Sequence, residues 1–274
     1  KKILTPGFYR FLTNMGNIFE TFSHFFVSSM EQKIMTTRLY HADSYQSEFT
    51  AKAVALHEES HGVILSQTAF FPGGGAQPGD RGTISYQTFK SPVEKIKIID
   101  GQLIHFLAQS EPLPEISTSL TGKINWDYRY QLMRTHTAMH ILCGVIFRDY
   151  GASVTGGNMT PLKGRMDFEF SSLHKDLVAI IEESVNKEIE NARPVSWRNI
   201  PREEAFNIPD LIRTKINLLP KHINEIRVVE IEGLDLQADG GTHVKNTSEV
   251  GRIKITDYKS KGRENKRIYL ELID

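Results

Sequence analysis

The apolar pattern of this chain changes character once, near Asn125, and that change limits what the chain can fold into. From Thr36 to about Thr121 it runs in short β-prone stretches, Ala51–Leu56, Gly62–Leu65, Thr83–Tyr86, Val93–Ile99 and Leu103–Leu107, punctuated by Gly and Pro. Strands of that kind predict a small β-barrel or sandwich. Beyond Asn125 the period becomes helical. Asp127 reads as the N-cap of a helix running to about Tyr150, with Gly151 as its stop. A second helix over Leu173–Asn191 sets Leu177, Ile180, Ile181, Val185 and Ile189 along one stripe and ends before Pro194. Shorter helical pieces follow at Arg202–Phe206 and Asp210–Lys215, with strands at Arg227–Glu232, Arg252–Tyr258 and Arg267–Leu272. The class is therefore α+β, a glycine-rich barrel over residues 35–122 and a mixed α/β part over residues 123–274.

Composition narrows the chemistry. The 274 residues hold one Cys, so no intrachain disulfide forms and a reducing, intracellular setting is the default. Cysteine-built zinc ribbons and iron–sulfur clusters are excluded too, and a metal here must be held mainly by His and carboxylates. Lys and Arg number 33 against 33 Asp and Glu, a balance that argues against diffuse nucleic-acid binding but permits a local basic patch. Residues 1–34 read as an N-terminal extension, an amphipathic helix or disordered tail, with a targeting or translation-start segment as the alternative. Its aromatic stretch from Phe8 to Val27 is broken by Asn14, Asn17, Glu20, Ser23 and His24, so no membrane span is expected.

Two His pairs have i,i+4 spacing. His57-Glu58-Glu59-Ser60-His61 matches a metallopeptidase pattern that works only on a helix, but its β-branched flanks and Gly62 predict a hairpin turn. His136 and His140 lie inside the strongest helix, so both rings project from one face at a spacing that suits a shared metal ion. Asp239-Gly240-Gly241-Thr242-His243 adds a carboxylate and an imidazole on a turn that two glycines free to bend sharply. Either a His/His/Asp/His set of four donors or a three-donor site with one position left to water follows, the second being what metal-assisted hydrolysis needs. Two packed His on a helix and an incidental Gly-Gly turn are the plain alternatives.

Phe71-Pro72-Gly73-Gly74-Gly75-Ala76-Gln77-Pro78 is too glycine-rich for a strand and allows backbone to approach a ligand closely. Lacking a Lys-Ser/Thr pair, it is no triphosphate-binding loop. Near the C-terminus Arg252, Lys254, Lys259, Lys261, Arg263, Lys266 and Arg267 face only Asp257 and Glu264, and a hairpin over Tyr258–Lys266 would gather this charge for a phosphate backbone.

Gly74-Gly75-Ala76-Gln77, the His136–His140 pair, Gly240-Gly241-Thr242-His243-Val244 and Thr247-Ser248-Glu249-Val250-Gly251 stand in the order and spacing of AlaX-type alanyl-tRNA editing proteins, free-standing relatives of the alanyl-tRNA synthetase editing domain. The chain resembles that family from about Thr36 to Leu272, and is similar to its medium-length members. The resemblance implies an editing domain of two layers, of the second-additional-domain type shared by threonyl- and alanyl-tRNA synthetases. It implies a zinc-dependent hydrolase, one Zn2+ per chain, that removes serine and also glycine from mischarged tRNA(Ala). By matching positions His136, His140 and His243 would hold the metal, with Asp239 where the synthetase domain typically carries Cys. Asp is a harder oxygen donor. Cys143, one turn beyond His140, reads as a buried apolar residue.

Thr155 falls where the family places the hydroxyl that senses serine, and with Gln77 it is carried over as catalytic. Gly74, Gly75, Gly156, Gly241, Thr242, Lys259, Lys261, Arg263, Lys266 and Arg267 are carried over as contacts to substrate and tRNA. The partner implied is tRNA, with no membrane, for a cytoplasmic monomer or weak homodimer, organellar targeting by residues 1–34 being the alternative. A module that binds RNA and has lost the chemistry is the rival, and a metallopeptidase using His57 and His61 the second.

Overall fold

In the computed structural model, which describes residues 35–209, 211 and 224–274, the barrel follows from alternation. A short β1 (Thr37–Arg38) and α1 (Leu39–Ala42) lead into β2 (Glu48–His57), β3 (Gly62–Leu65), β4 (Gln67–Thr68), β5 (Gly82–Tyr86), β6 (Phe89–Ile99), β7 (Gln102–Leu107) and β8 (Ser119–Ile124). β1 pairs with β4, and the other six close antiparallel in the order β2-β3-β7-β6-β5-β8. Along β8 and the first half of β2 every second side chain is buried, which sends Phe49, Ala51, Leu120 and Ile124 inward against Phe70, Ile84 and Leu107. Closure leaves the sheet without a free edge. β8 completes the ring, and sequence patterning misses it because Gly122 interrupts the strand. That glycine is where the Phe49 ring packs, so any Cβ would collide with it.

One polar ring sits inside the barrel. His105 is fully buried, its Nε2 2.9 Å from Thr68 Oγ1 and its Nδ1 3.3 Å from the Val63 carbonyl. Burial pushes its pKa down to about 4.

Among the described residues the second part contains three α-helices and two antiparallel sheets. α2 (Trp126–Tyr150) and α3 (Lys175–Glu190) are joined by β9 (Val154–Thr160) and β10 (Lys163–Glu169). Then come β11 (Val195–Pro201), α4 (Arg202–Asn207), β12 (Glu225–Ile231), β13 (Asp235–Ala238), β14 (Arg252–Ser260) and β15 (Asn265–Ile273). The sheets run β14-β15-β10-β9 and β11-β12-β13. The helix N-cap is Asn125 and not Asp127: the Asn125 side chain accepts the Tyr128 N–H at 3.1 Å, while Asp127 stands in the first turn, where its charge suits the helix dipole. Gly151 ends the helix in the left-handed conformation, as expected. The expected helical piece at Asp210–Lys215 and the reading of residues 1–34 lie outside the described residues. Strand β9 is not apparent in the sequence because Gly156-Gly157 reads as a turn. Gly157 instead lies under Met139 of α2, where a side chain would crowd the helix.

α2 is buried on nearly every face, packing on β9, β10, β13 and α3. One ion pair joins it to the barrel. Arg129, wholly buried, donates from Nε to Asp80 Oδ1 at 2.7 Å and from Nη2 to Asp80 Oδ2, and also binds the Ala69 and Ser44 carbonyls at 2.7 and 2.9 Å. Asp80 closes the glycine loop in turn, accepting the Phe71 N–H at 2.6 Å while its own N–H donates to the Phe71 carbonyl. The chain from Phe71 to Asp80 is thus a loop whose neck is bolted to the first turn of α2.

Two outcomes follow. Arg129→Ala leaves the Asp80 carboxylate buried and uncompensated, and should cost about 3–5 kcal/mol in urea unfolding. For His105 the folded ring protonates near pH 4 and the unfolded ring near 6.5, so its stabilisation is complete above about pH 6.5 and is lost as pH falls towards 4. The loss of stability between pH 7 and pH 5 should be shallower in His105→Gln than in the parent; equal slopes would refute this.

Candidate metal centre

α2 carries His136 and His140 one turn apart, and the turn after β13 returns Asp239 and His243 to the same place. One donor atom from each of His136, His140, Asp239 and His243 can be chosen so that all lie within 4.8 Å of one another. The three rings contact each other, with centroids 4.3 to 5.1 Å apart. His243 Nε2 is 3.0 Å and His136 Nε2 3.6 Å from the Asp239 carboxylate. Glycine permits this approach, since a Cβ at Gly241 would collide with the His136 ring.

Each imidazole is oriented from behind. His136 Nδ1 meets Gln77 Oε1 at 3.1 Å, His140 Nδ1 meets Asp235 Oδ2 at 2.9 Å, and His243 Nδ1 meets Thr137 Oγ1 at 3.1 Å. The Gln77 amide orientation is set by the Thr242 backbone N–H, which donates to Oε1 at 3.0 Å, while Nε2 donates to Thr242 Oγ1 at 2.7 Å. Oε1 and the Asp235 carboxylate only accept, so Nδ1 of His136 and of His140 carry the protons and their Nε2 lone pairs remain for a ligand.

Charge agrees with that arrangement. Burial, with no countervailing partner large enough, holds His136 well below its ordinary value and His243 at about 4, so both rings are neutral. At Asp239 burial acts in the opposite sense, raising the carboxyl, but His136 and His243 outweigh it and the group is held well below the usual carboxylate range. Gly241 N–H donates to Asp239 Oδ2 at 2.7 Å. Three imidazoles and one carboxylate, converging and desolvated, can hold a divalent metal ion, and a nitrogen-rich donor set of four is compatible with zinc.

The glycine loop forms part of the rim. Gly73, Gly74, Gly75 and Ala76 have φ of +93°, +143°, +56° and +76°, a run that only glycine adopts freely and that Ala76 adopts under strain. Gly75 faces the Asp239 carboxylate, its hypothetical Cβ 3.6 Å from Oδ1, and Gly157 faces Ala76 and Met139. Gly156 lies opposite Asp167.

Several other expected site residues have partners within the fold. The Thr155 hydroxyl donates to Asn265 Oδ1 at 3.0 Å, at the end of the β9 strand. Lys259, Lys261 and Arg263 are exposed on the β14–β15 hairpin, Lys259 pairing with Asp257 at 3.0 Å. Lys266 is instead buried, its ammonium bonded to the Gly262 and Arg263 carbonyls at 2.9 and 2.8 Å, and Arg267 makes a two-pronged pair with Asp167 at 2.6 and 2.7 Å. These two cations brace the hairpin and are not free for a phosphate. Cys143 is buried, with Gln237 Nε2 3.2 Å from its sulfur, as expected of an apolar Cys. The His57–His61 segment forms no α-helix: β2 ends at His57, Glu58–Ser60 make a 3-10 turn, and His61 is left-handed at φ +50°. Its two rings face different partners, Ser60 and the Glu111 carbonyl, so the metallopeptidase geometry is absent. Sequence reasoning passed over Asp235, Thr137, Asp80 and Arg129, whose bonds to His140, to His243 and to each other span 49 to 106 residues and leave no local signature.

Known proteins share this arrangement of sequence. Residues 226–269 match the family described as threonyl and alanyl tRNA synthetase second additional domain, and residues 17–128 match tRNA synthetases class II (A). The chain is 37% identical over 237 residues to the alanyl-tRNA editing protein AlaX-M of Saccharolobus solfataricus, a match covering 86% of this chain and 98% of that protein. It is 34% identical to AlaX-M of Methanosarcina acetivorans over 88% of this chain and the whole of that one. The chain belongs to the AlaX-M family of alanyl-tRNA editing proteins. It is also 35% identical to the alanine–tRNA ligase of Ignicoccus hospitalis, over 80% of this chain and 24% of the ligase. Of the four donors, the second-additional-domain match includes Asp239 and His243.

The support behind the rings is testable. Asp235→Ala should weaken divalent-metal binding about 10–100-fold in a chelator competition while the fold persists, because the His140 ring loses its orienting acceptor. An unchanged affinity would refute that role.

Proposed function

We propose that this protein is a trans-editing aminoacyl-tRNA hydrolase that deacylates mischarged tRNA(Ala), taking Ser-tRNA(Ala) and also Gly-tRNA(Ala). The observation that carries the reading is the convergence of His136, His140, Asp239 and His243 in a chain that aligns over most of its length with AlaX-M proteins. In this reading the four side chains hold one zinc ion per chain. Zinc, when bound, supplies Lewis acidity that polarises an ester carbonyl and acidifies water.

The remaining work belongs to the protein. Gln77 keeps the His136 ring aimed and ties it to Thr242, so the barrel loop and the Gly241-Thr242 turn act as one unit. Gly74, Gly75, Gly156 and Gly241 let backbone rather than side chains line the entry, leaving room for an acceptor end. Thr155 exchanges its bond to Asn265 for the hydroxyl of a seryl group. Selection on that hydroxyl is physically sound, since an apolar cavity separates alanine from serine poorly and a site that hydrogen-bonds the extra oxygen separates them well. Lys259, Lys261 and Arg263 meet the tRNA backbone, with Lys266 and Arg267 holding their hairpin in shape. The functional unit is a barrel domain over residues 35–122 and an editing domain of two layers over residues 123–274, working in the cytoplasm as a monomer or weak homodimer and without a membrane. Among the described residues no helix is long and apolar enough to cross one.

Deacylation measured over a panel of mischarged tRNAs tests this. Ser-tRNA(Ala) should be hydrolysed fastest, correctly charged Ala-tRNA(Ala) spared, and His136→Ala should lose both bound zinc and hydrolysis while remaining folded. Zinc-loaded protein that binds tRNA and hydrolyses none of the panel would make it an RNA-binding module instead.

A further inference from the structure

An aromatic–cation pair borders the metal centre and takes no part in the reading above. Trp197 on β11 is 41% exposed, and the Arg227 guanidinium carbon lies 5.4 Å from its ring centroid. Trp197 pairs with Val229 and Val229 with Gln237, so Trp197, Arg227 and Gln237 project from one face of their sheet, the face from which Asp235 reaches His140. Arg227 Nη1 donates to the Asp239 and Gly241 carbonyls at 3.0 and 3.1 Å and lies 3.9 Å from the Asp239 carboxylate. A single guanidinium therefore separates an exposed indole from the donor set.

That guanidinium is placed at a cost to the fold. Its side chain is 7% exposed and its Nε, buried, has no hydrogen-bond partner. A buried cation with an unpaired N–H is an arrangement that stability alone disfavours and that an approaching polyanion rewards. Arg38 is exposed, and its charge and that of Arg227 both disfavour protonation of the His41 ring, which bonds to the Gly240 backbone. Among the described residues two other aromatic side chains are as exposed, but Tyr150 packs on Phe170 and Phe206 is covered by Arg202. Trp197 is the one tied to the donor set.

We propose that the outer face of Trp197 is the stacking platform for the adenine of the tRNA's 3′-terminal adenosine, with Arg227 beneath the indole. The scissile ester sits on the ribose of that nucleotide, so its base must come to rest within one nucleoside's reach of the metal donors. An indole face binds a base through stacking, and a cation on its far side holds the ring in place. The inference rests on the aminoacyl-tRNA reading.

Two hydrolysis-resistant probes test it, 3′-deoxy-3′-(L-seryl)aminoadenosine and its abasic counterpart, titrated into protein carrying Trp126→Phe so that Trp197 is the one remaining indole. The adenosine probe should quench Trp197 fluorescence and bind about tenfold or more tighter than the abasic probe. Trp197→Ala should remove that advantage and raise KM for Ser-tRNA(Ala) with little change in kcat, Trp197→Phe should restore most of it, and the thermal midpoint of each variant reports its folding. Equal binding of the two probes to the parent, or an undiminished adenine advantage in folded Trp197→Ala, would overturn the platform. The two readings fail separately. Quenching without hydrolysis of any mischarged tRNA would remove the hydrolase and keep the platform, whereas hydrolysis with unchanged KM in Trp197→Ala would do the reverse.

Discussion

The buried pair between Asp80 and Arg129 is the interaction on which the rest depends. It joins residues on either side of the change in character near Asn125, one at the end of the glycine loop and one in the first turn of α2. Two charges taken out of water are tolerable only when every lone pair and N–H is used. Here Asp80 also closes the loop through Phe71, and Arg129 also binds the Ala69 and Ser44 carbonyls. The consequence is positional. With the loop neck held against α2, Gln77 falls on His136, seven residues further along the helix, and the barrel becomes part of the metal centre.

That centre is built from segments far apart in the chain, and glycine makes each approach possible. Gly75 faces the carboxylate of Asp239, Gly157 leaves room for Met139 and Ala76, and Gly241 lies against the His136 ring. Around the donors a second ring of Gln77, Asp235 and Thr137 sets which imidazole nitrogen faces inward. Desolvation keeps His136 and His243 neutral and the partners keep Asp239 ionised, which is the protonation state a divalent cation requires.

Much of this was legible in the sequence where the signal is local. Periodicity finds α2, α3, five barrel strands and the C-terminal hairpin, and i,i+4 spacing together with the Asp-Gly-Gly-Thr-His turn brings out the four donors. The failures have physical causes. β8 and β9 contain glycines that serve close packing and therefore look like turns. Lys266 and Arg267 count as surface charge in a sequence, yet a carbonyl cage and the Asp167 carboxylate absorb them once the strands pair. Asp127 resembles a helix cap, but Asn125 occupies that position because the helix starts one residue after it. Asp235 and Arg129 act only through partners brought near by folding, so nothing in the neighbouring residues announces them.

The proposed hydrolysis depends on the four converging side chains forming a working metal centre. The most direct measurement is the rate of Ser-tRNA(Ala) deacylation by the same preparation after its metal has been stripped and again after one equivalent of zinc has been returned. Loss on stripping with recovery at one zinc per chain is the predicted result. Full hydrolysis by metal-free protein would contradict it.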